Sequence, residues 1–208
     1  MQKKIAYQGT KASFSEMAIE RYFGSVIEPI GKVTFEEVFK SLAKAEVGFA
    51  ALPVENSLIG PIFENFDLIA DQDVSVVGEV CLQIEHCLVG KKGQQIEEIR
   101  KVFSHPKALA QCTRFFETHP WLEPVVHFDT AGAVRDMGKS CDLSVAAIGS
   151  RKTAEVYNLE ILKKGLECKF TSLRITSKEE LEAKIFELET AEDLVDEELQ
   201  ERAENGKG

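Results

Sequence analysis

The chain has 208 residues, of which 35 are acidic and 25 basic, giving a formal net charge of −10 at pH 7. The length is typical of one domain or of two small lobes, and the 44% apolar content excludes a disordered chain. The acidic balance argues against a nucleic-acid-binding protein, which needs a basic surface to neutralise phosphates, and no apolar run approaches the roughly 20 residues of a membrane span.

Short apolar runs alternate along the chain with segments of helical periodicity, which is the pattern of a βαβ architecture. Strands are predicted at residues 5–8, 47–52, 74–77, 84–89, 102–104, 125–128, 145–148 and 170–175. Helices are predicted at residues 15–23, 35–45, 106–117, 130–137 and 151–157. The sequence therefore predicts an α/β fold.

The order of these elements predicts two lobes with a cleft between them. Lobe 1 is expected over residues 1–80 and lobe 2 over residues 81–162, and a strand segment over 163–177 returns to lobe 1. The tail, residues 178–208, holds twelve acidic and four basic side chains, so its net charge is −8 and that of residues 1–177 is −2. Apolar residues at helical spacing in the tail predict a charged C-terminal helix that packs on the body or forms a dimer.

Four junctions between a predicted strand and a predicted helix carry polar side chains. In parallel α/β sheets, ligands bind beyond the carboxyl ends of the strands, where helix N-termini favour anions. The junctions are residues 9–16, 52–57, 103–107 and 128–133. Ser13 and Glu16 have the spacing of a capping box, and helix capping explains any single one of these side chains. Together the junctions predict an anion-binding cleft, with Ser13 and Ser57 among its candidate ligand-binding residues.

The five cysteines do not indicate a disulfide framework, because their number is odd and their spacing irregular. Cys81, His86 and Cys87 could serve as metal ligands, but no second close pair completes such a site, and buried apolar thiols are the commoner explanation. Met1 leads directly into the first predicted strand, without the apolar core of a signal peptide. We therefore expect a cytoplasmic protein without a metal.

Several ordered motifs make residues 5–175 resemble the prephenate dehydratase family, including its arogenate dehydratase branch. The motifs that carry this resemblance are residues 7–15, 53–57 with 60 and 65–68, 78–80 with 86–88, 104–112, 129–133 and 146–150. The most specific of them is the string Ser-His-Pro-Lys-Ala-Leu-Ala-Gln-Cys over residues 104–112. The resemblance implies a two-lobed fold like a type II periplasmic binding protein, with the active site between the lobes.

The resemblance also implies a lyase without a cofactor. Members of the family couple decarboxylation to loss of a ring hydroxyl, which gives phenylpyruvate from prephenate or phenylalanine from arogenate. Formation of the aromatic ring supplies driving force, so that the protein chiefly has to orient the dianion and protonate the departing hydroxyl. The expected partner is therefore a small dicarboxylate, with neither nucleic acid nor a membrane, and a homodimer is a candidate assembly.

The resemblance assigns roles to individual side chains of this chain. Thr171 would donate to the leaving hydroxyl, Asn56 would hydrogen-bond the substrate, and Glu55 would orient its neighbours or stay protonated in the cleft. These three form the expected catalytic set. The side chains expected to bind substrate are Ser13, Ser57, Ser104, Gln111, Thr130 and Arg174.

The last strand departs from the family pattern Asn-x-Thr-Arg-Phe. With Thr171 aligned to the family threonine, Lys169 stands in place of the asparagine, Ser172 in place of the arginine and Leu173 in place of the phenylalanine. One hypothesis is that Arg174 or Lys169 partly replaces the missing cation. Two alternatives to the dehydratase stay open because of this change, namely a non-catalytic carboxylate-binding protein and a prephenate decarboxylase that does not dehydrate.

Two further departures concern the loop before the first helix and the end of the chain. Ala12 stands where the family usually has glycine. The 31 residues after Ser177 are too few for the regulatory ACT domain that is common in the family. We therefore expect no phenylalanine feedback through that domain.

Overall fold

A computed structural model describes residues 3–24, 26–57, 60–177 and 184–185, with the backbone alone for 167–171 and 184–185. The strands are β1 (Lys3–Gln8), β2 (Ile27–Lys32), β3 (Phe49–Asn56), β4 (Gly60–Pro61), β5 (Ser75–Gly90), β6 (Lys101–Ser104), β7 (Glu123–Val126), β8 (Val145–Gly149), β9 (Glu160–Ser177) and β10 (Lys184–Ile185). The helices are α1 (Phe14–Phe23), α2 (Phe35–Ala43), α3 (Phe63–Ala70), α4 (Pro106–Gln111), α5 (Thr113–Thr118), α6 (Thr130–Lys139) and α7 (Arg151–Val156). No helix in this described part is both long and apolar enough to cross a bilayer.

The strands form one mixed sheet in the order β2-β1-β3-β9-β5-β8-β6-β7, with β4 beside β3 and β10 beside β5. At one end β1 runs parallel to β2 and β3, and at the other end β6 runs parallel to β7 and β8. Between these two parallel halves lie β5 and β9, which are antiparallel to each other. The two-lobed α/β fold predicted from the sequence is confirmed, and β5 and β9 are the two strands that cross between the lobes.

Each lobe buries both faces of its half of the sheet, as parallel strands require. In lobe 1, side chains alternate along β1, so that Ile5 packs towards Ile19 of α1 while Ala6 packs towards Val38 of α2. In lobe 2, Leu88 of β5 belongs to a core with Val102 and Phe115, and its neighbour Cys87 belongs to a second core on the opposite face. Cys87 is fully buried among apolar side chains, as the sequence indicated, whereas Cys81 is only partly buried.

Several elements were not predicted or had different bounds, and three of them have a clear physical reason. β2 was missed because Pro29 and Gly31 weaken its strand signal, and its place at the edge of the sheet is where proline is tolerated. α3 was missed because Ile62 precedes it without a side-chain cap. The helix predicted at 106–117 is two helices, since the chain turns at Cys112.

The predicted lobe boundaries fall inside long strands. β5 runs without interruption through residues 80 and 81, where two separate strands at 74–77 and 84–89 were expected. β9 likewise runs through residues 162 and 163. The division of the chain at these residues remains a prediction, because both strands are shared by the two halves of the sheet. The predicted tail helix lies outside the described residues, except that Lys184–Ile185 pair with β5 as a short strand rather than as helix.

Candidate functional site

A cavity of about 180 Å³ lies between the two lobes. Lobe 1 contributes the loop from β1 to α1, and lobe 2 contributes the loops that precede α4 and α6 together with one side chain of α7. The lining residues are Gln8, Ala12, Ser13, Phe14, Ser15, His105, Phe128, Asp129, Thr130, Ala131 and Thr153. Three of the four predicted strand–helix junctions therefore meet at one cavity or beside it, as the anion-binding hypothesis requires.

Ser13 begins α1 and lies at the cavity. Its hydroxyl accepts a hydrogen bond from the backbone N–H of Glu16 at 3.4 Å, which is the N-cap that the spacing predicted. The other half of the capping box differs, because the Glu16 carboxylate accepts from the N–H of Ala12 at 2.5 Å rather than from that of Ser13. Ala12 has a left-handed backbone with φ of 65°, which explains why glycine suits this position. The Glu16 carboxylate thus stabilises the conformation of the loop that lines the cavity.

In lobe 2, Asp129 has the position that Ser13 has in lobe 1, at the start of a helix beside the cavity. Its Oδ2 accepts from the N–H of Gly132 at 2.9 Å, which makes Asp129 the N-cap of α6. The same oxygen accepts from the hydroxyl of Thr10 at 2.5 Å, across the cleft. Thr130, the first residue of α6, lines the cavity beside it. The N-termini of two ten-residue helices, α1 and α6, therefore point into one space, where their dipoles favour an anion.

Further contacts hold the two lobes together beside the cavity. The hydroxyl of Thr153 donates to the carbonyl oxygen of Ala12 at 3.1 Å. Lys152, on the same helix, forms an ion pair with Glu20 of α1. Because these bonds join the β1–α1 region to α7, the two lobes are in contact on this side of the cleft.

His105 precedes α4 and lines the cavity. Its Nδ1 accepts from the N–H of Lys107 at 3.2 Å, so that His105 is the N-cap of α4 and Pro106 is the first helical residue, as predicted. Burial lowers the pKa of His105, and the neighbouring charge of Lys107 lowers it further. A neutral ring suits this position, since a protonated Nδ1 could not accept the hydrogen bond.

The His105→Asn variant tests this assignment through the pH dependence of stability. The pKa of His105 in the folded protein lies below its value of about 6.5 in the unfolded chain. Below about pH 6.5 the unfolded chain therefore binds more protons, and the wild-type free energy of unfolding falls as the pH decreases. Asparagine retains the cap but does not titrate. Between about pH 7 and 5 we therefore expect the free energy of unfolding, measured by urea titration, to decrease less in the variant than in the wild type. Parallel curves for the two proteins would contradict the assignment.

Ser104 and Gln111 flank the cavity without lining it. Ser104 ends β6, is fully buried, and donates its hydroxyl to the carbonyl oxygen of Ile148 at 3.0 Å. Gln111 ends α4, and its Oε1 lies 2.9 Å from Nε2 of His86 on β5. The predicted roles of Ser104 and Gln111 in substrate binding remain predictions. The sequence did not indicate the partner of either side chain.

The catalytic set predicted from the sequence lies where β3, β9 and β5 run side by side. The backbone of Thr171 on β9 pairs with Asn56 on β3 and with Leu82 on β5. Leu82 belongs to an apolar cluster that also contacts Phe14, and Phe14 lines the cavity. The register neighbour of Thr171, Leu82, thus belongs to a cluster that packs against one of the residues lining the cavity. The side chain of Thr171 lies outside the described part of the structure.

Glu55 and Asn56 end β3, Ser57 follows it, and the three residues differ in exposure. Asn56 is buried, with 8% of its surface exposed, whereas Glu55 and Ser57 are exposed. Glu55 pairs in register with Ser172 of β9, whereas Asn56 pairs with Thr171. Because side chains alternate along a strand, Glu55 and Asn56 extend to opposite faces of the sheet. The catalytic roles predicted for Glu55 and Asn56 stay predictions.

Arg174 has partners of its own on β9 and β5. Its Nε lies 3.5 Å from Oε2 of Glu79, and its guanidinium lies over the ring of Phe66 at 4.8 Å. The hydroxyl of Ser172 also donates to the Glu79 carboxylate. Arg174 does not line the inter-lobe cavity, and its predicted contact with the substrate stays a prediction. The side chain of Lys169, the other candidate cation, lies outside the described residues.

Several residues at the cleft were not candidates from the sequence. Thr10 and Thr153 form hydrogen bonds between the lobes, and the exposed ring of Phe128 stands at the cavity mouth. No local signal distinguishes Thr10 and Thr153 from other polar residues, because their partners lie more than 100 residues away. Within the described residues no group of three histidine, cysteine or acidic side chains could hold a metal ion, and Cys81 and Cys87 are free thiols.

Comparison with known proteins gives the same family as the sequence motifs. Residues 5–172 match the family model for prephenate dehydratase. Arogenate dehydratase/prephenate dehydratase 2 of Arabidopsis thaliana, which is chloroplastic, is 37% identical over 164 residues, covering 79% of this chain and 42% of the relative. The chain thus spans about two fifths of the length of that curated relative.

Two solved structures share the fold. The prephenate dehydratase of Staphylococcus aureus superposes with a TM-score of 0.73 at 26% identity, covering 88% of this chain and 68% of the other. GqqA, described as a novel type of quorum quenching acylase, superposes with a TM-score of 0.77 at 30% identity, covering 86% of this chain and 65% of the other. The mixed sheet with two crossing strands is therefore an arrangement that known proteins adopt.

Proposed function

Because the chain belongs to the prephenate dehydratase family, we propose that it is a carbon–oxygen lyase that converts prephenate to phenylpyruvate, or arogenate to phenylalanine. The observation that carries this proposal is the inter-lobe cavity, into which Ser13 and Thr130 project from the first turns of two helices. Backbone N–H groups and hydroxyls at helix N-termini suit a small dicarboxylate. The substrate would bind there with its ring directed towards β9.

The proposed reaction forms an aromatic ring by losing two groups. The bond from the ring to its carboxylate breaks and releases carbon dioxide, and that electron pair enters the ring. The bond from the ring to its hydroxyl breaks at the same time, and the departing oxygen takes a proton to leave as water. Because aromatisation supplies the driving force, orientation and proton donation are the tasks left to the protein, and we propose that no cofactor takes part.

We propose the following roles for the side chains. Thr171 donates to the departing hydroxyl, and Asn56, its register neighbour, orients the substrate beside it. Ser13 and Thr130 bind carboxylate oxygens in the cavity. Ser104, which ends β6, and Gln111, which ends α4, hydrogen-bond substrate oxygens from beside the cavity. Arg174 is assigned no contact with the substrate, because it is paired with Glu79.

A product assay tests the proposal directly. The purified chain is incubated separately with prephenate and with arogenate at neutral pH, and the products are identified by mass spectrometry. We expect phenylpyruvate from the first incubation or phenylalanine from the second, each with release of carbon dioxide, and the ratio of kcat/KM values gives the preferred substrate. Unchanged substrate that nevertheless binds would indicate a carboxylate-binding protein, and a non-aromatic decarboxylated product would indicate a decarboxylase.

We also propose a cytoplasmic location and a small-molecule substrate as the main partner. Cys81 and Cys141 are free thiols with exposed or partly exposed side chains, and such thiols persist in a reducing compartment. A homodimer remains a prediction, to be checked by light scattering of the purified chain.

A further inference from the structure

His86 and Gln111 form a hydrogen bond that the predicted mechanism does not include. His86 lies on β5 with 3% of its surface exposed, and its Nε2 is 2.9 Å from Oε1 of Gln111 on α4. The ring of Phe14 contacts the His86 ring edge-on, with centroids 5.7 Å apart and planes at 75°. Three elements, β5, α4 and α1, therefore meet at this imidazole.

The orientation of the Gln111 amide, whose Oε1 faces the imidazole, fixes the tautomer of His86. An amide oxygen can only accept a hydrogen bond, so His86 must carry its proton on Nε2. With Oε1 engaged, both N–H donors of the Gln111 amide remain for another acceptor. If the amide were rotated by 180°, Gln111 would present an oxygen to that acceptor instead.

This orientation matters because the proposed substrate is an anion. An N–H donor attracts a carboxylate or hydroxyl oxygen, whereas an amide oxygen at the same place repels it. A glutamine without a partner can present either end, and only one end is productive. The packing of Phe14 on the imidazole supports the ring orientation that the hydrogen bond requires.

We propose that His86 is a positioning residue, which holds the Gln111 amide with its N–H donors available to the substrate. The proposal rests on the proposed function, in which Gln111 binds a substrate oxygen. His86 itself touches no substrate in this scheme and transfers no proton. Its contribution is to keep one orientation of the amide populated before the substrate arrives, which avoids the cost of ordering that side chain on binding.

Kinetics of two variants at His86 separate positioning from packing. His86→Leu fills the space but cannot donate, and we expect KM to rise about tenfold while kcat changes less than about threefold. His86→Gln places an amide N–H donor near the position of Nε2 and is expected to restore KM to within about threefold of the wild-type value. Equal losses in the two variants, with unchanged thermal unfolding, would overturn the proposal.

A double-mutant cycle tests whether His86 acts through Gln111. In a Gln111→Ala background there is no amide to orient, so we expect His86→Leu to change KM by less than about twofold. If the effects of the two substitutions on KM multiply, His86 acts independently of Gln111 and the proposal is wrong. Should turnover be too slow for KM, the dissociation constant of prephenate measured by calorimetry replaces it, with the same expected pattern.

Nuclear magnetic resonance supplies a readout that does not depend on activity. Long-range ¹H–¹⁵N spectra of the full chain are expected to show His86 as the Nε2–H tautomer, with a ring proton protected from exchange. Gln111→Ala should remove that protection, and the opposite tautomer in the wild type would overturn the proposal. If the wild type shows the expected tautomer but neither converts nor binds prephenate or arogenate, the proposed function fails while the His86–Gln111 geometry stands.

Discussion

Replacing Thr171 with alanine is expected to lower kcat for the proposed dehydration by about a hundredfold or more, because a positioned proton donor typically contributes 10²–10⁴-fold. The backbone of Thr171 lies between Asn56 and Leu82 in the central strands, a position that an alanine occupies without disturbing the pairing. KM should change much less than kcat, since the proposed role of the hydroxyl is to act on the departing group. Steady-state kinetics with prephenate and with arogenate measure both parameters.

The Thr171→Ser variant is the matched control, because it keeps the hydroxyl and removes only a methyl group. We expect its kcat to stay within about tenfold of the wild-type value. Circular dichroism and thermal unfolding of both variants exclude a folding defect as the cause. A Thr171→Ala variant with wild-type kcat would show that the proton comes from another group.

Replacing Glu16 with alanine is expected to lower the free energy of unfolding by about 2–4 kcal/mol, since hydrogen bonds to a charged group contribute about 1.5–3 kcal/mol each. The Glu16 side chain is 6% exposed and accepts from the N–H of Ala12 and from the hydroxyl of Tyr7. Burial and the adjacent Glu16 carboxylate raise the pKa of Tyr7, which keeps the phenol a donor. Both donors lose their partner in the variant, while Ala12 retains its strained φ of 65°. Chemical denaturation measures the loss.

Two controls on the same helix distinguish the buried carboxylate from charge in general. Glu20→Ala removes a partly exposed ion pair with Lys152, and such pairs contribute about 0–1 kcal/mol. Glu16→Gln keeps one acceptor oxygen and should lie between the wild type and Glu16→Ala in stability. Equal losses for Glu16→Ala and Glu20→Ala would contradict the role assigned to the buried carboxylate.

The elements that the sequence predicts well are those with a complete local signal. α1 and α6 have a capping side chain immediately before a run of helical period, and the structure places the cap of α1 at Ser13, as expected, and that of α6 at Asp129. β2 has no such signal, because Pro29 and Gly31 interrupt its apolar run. It is a strand because it pairs with β1 at the edge of the sheet, where proline is tolerated. Local signals therefore identified α1 and α6 but missed β2.

The long strands illustrate a second limit of local patterns. Residues 78–83 contain Gly78, Glu79 and Gln83, which separate two apolar runs and favour a break between them. The structure nevertheless has one continuous strand there, because residues 75–90 pair with β9 along their whole length. Hydrogen bonding to a distant segment thus outweighed the local signal, because strand formation depends strongly on tertiary context.

By itself, the sequence determined the α/β class, the helix caps and the junctions that line the cleft, because each depends on neighbouring residues and on the periods of helix and strand. It also determined the family, through ordered motifs that the family model covers over residues 5–172. Only the tertiary structure decided which polar side chains meet. Thr10 bonds to Asp129 across 119 positions, and His86 bonds to Gln111 across 25. Such pairs form because the folded sheet brings two loops or elements within hydrogen-bonding distance, and no local period of the sequence encodes that approach.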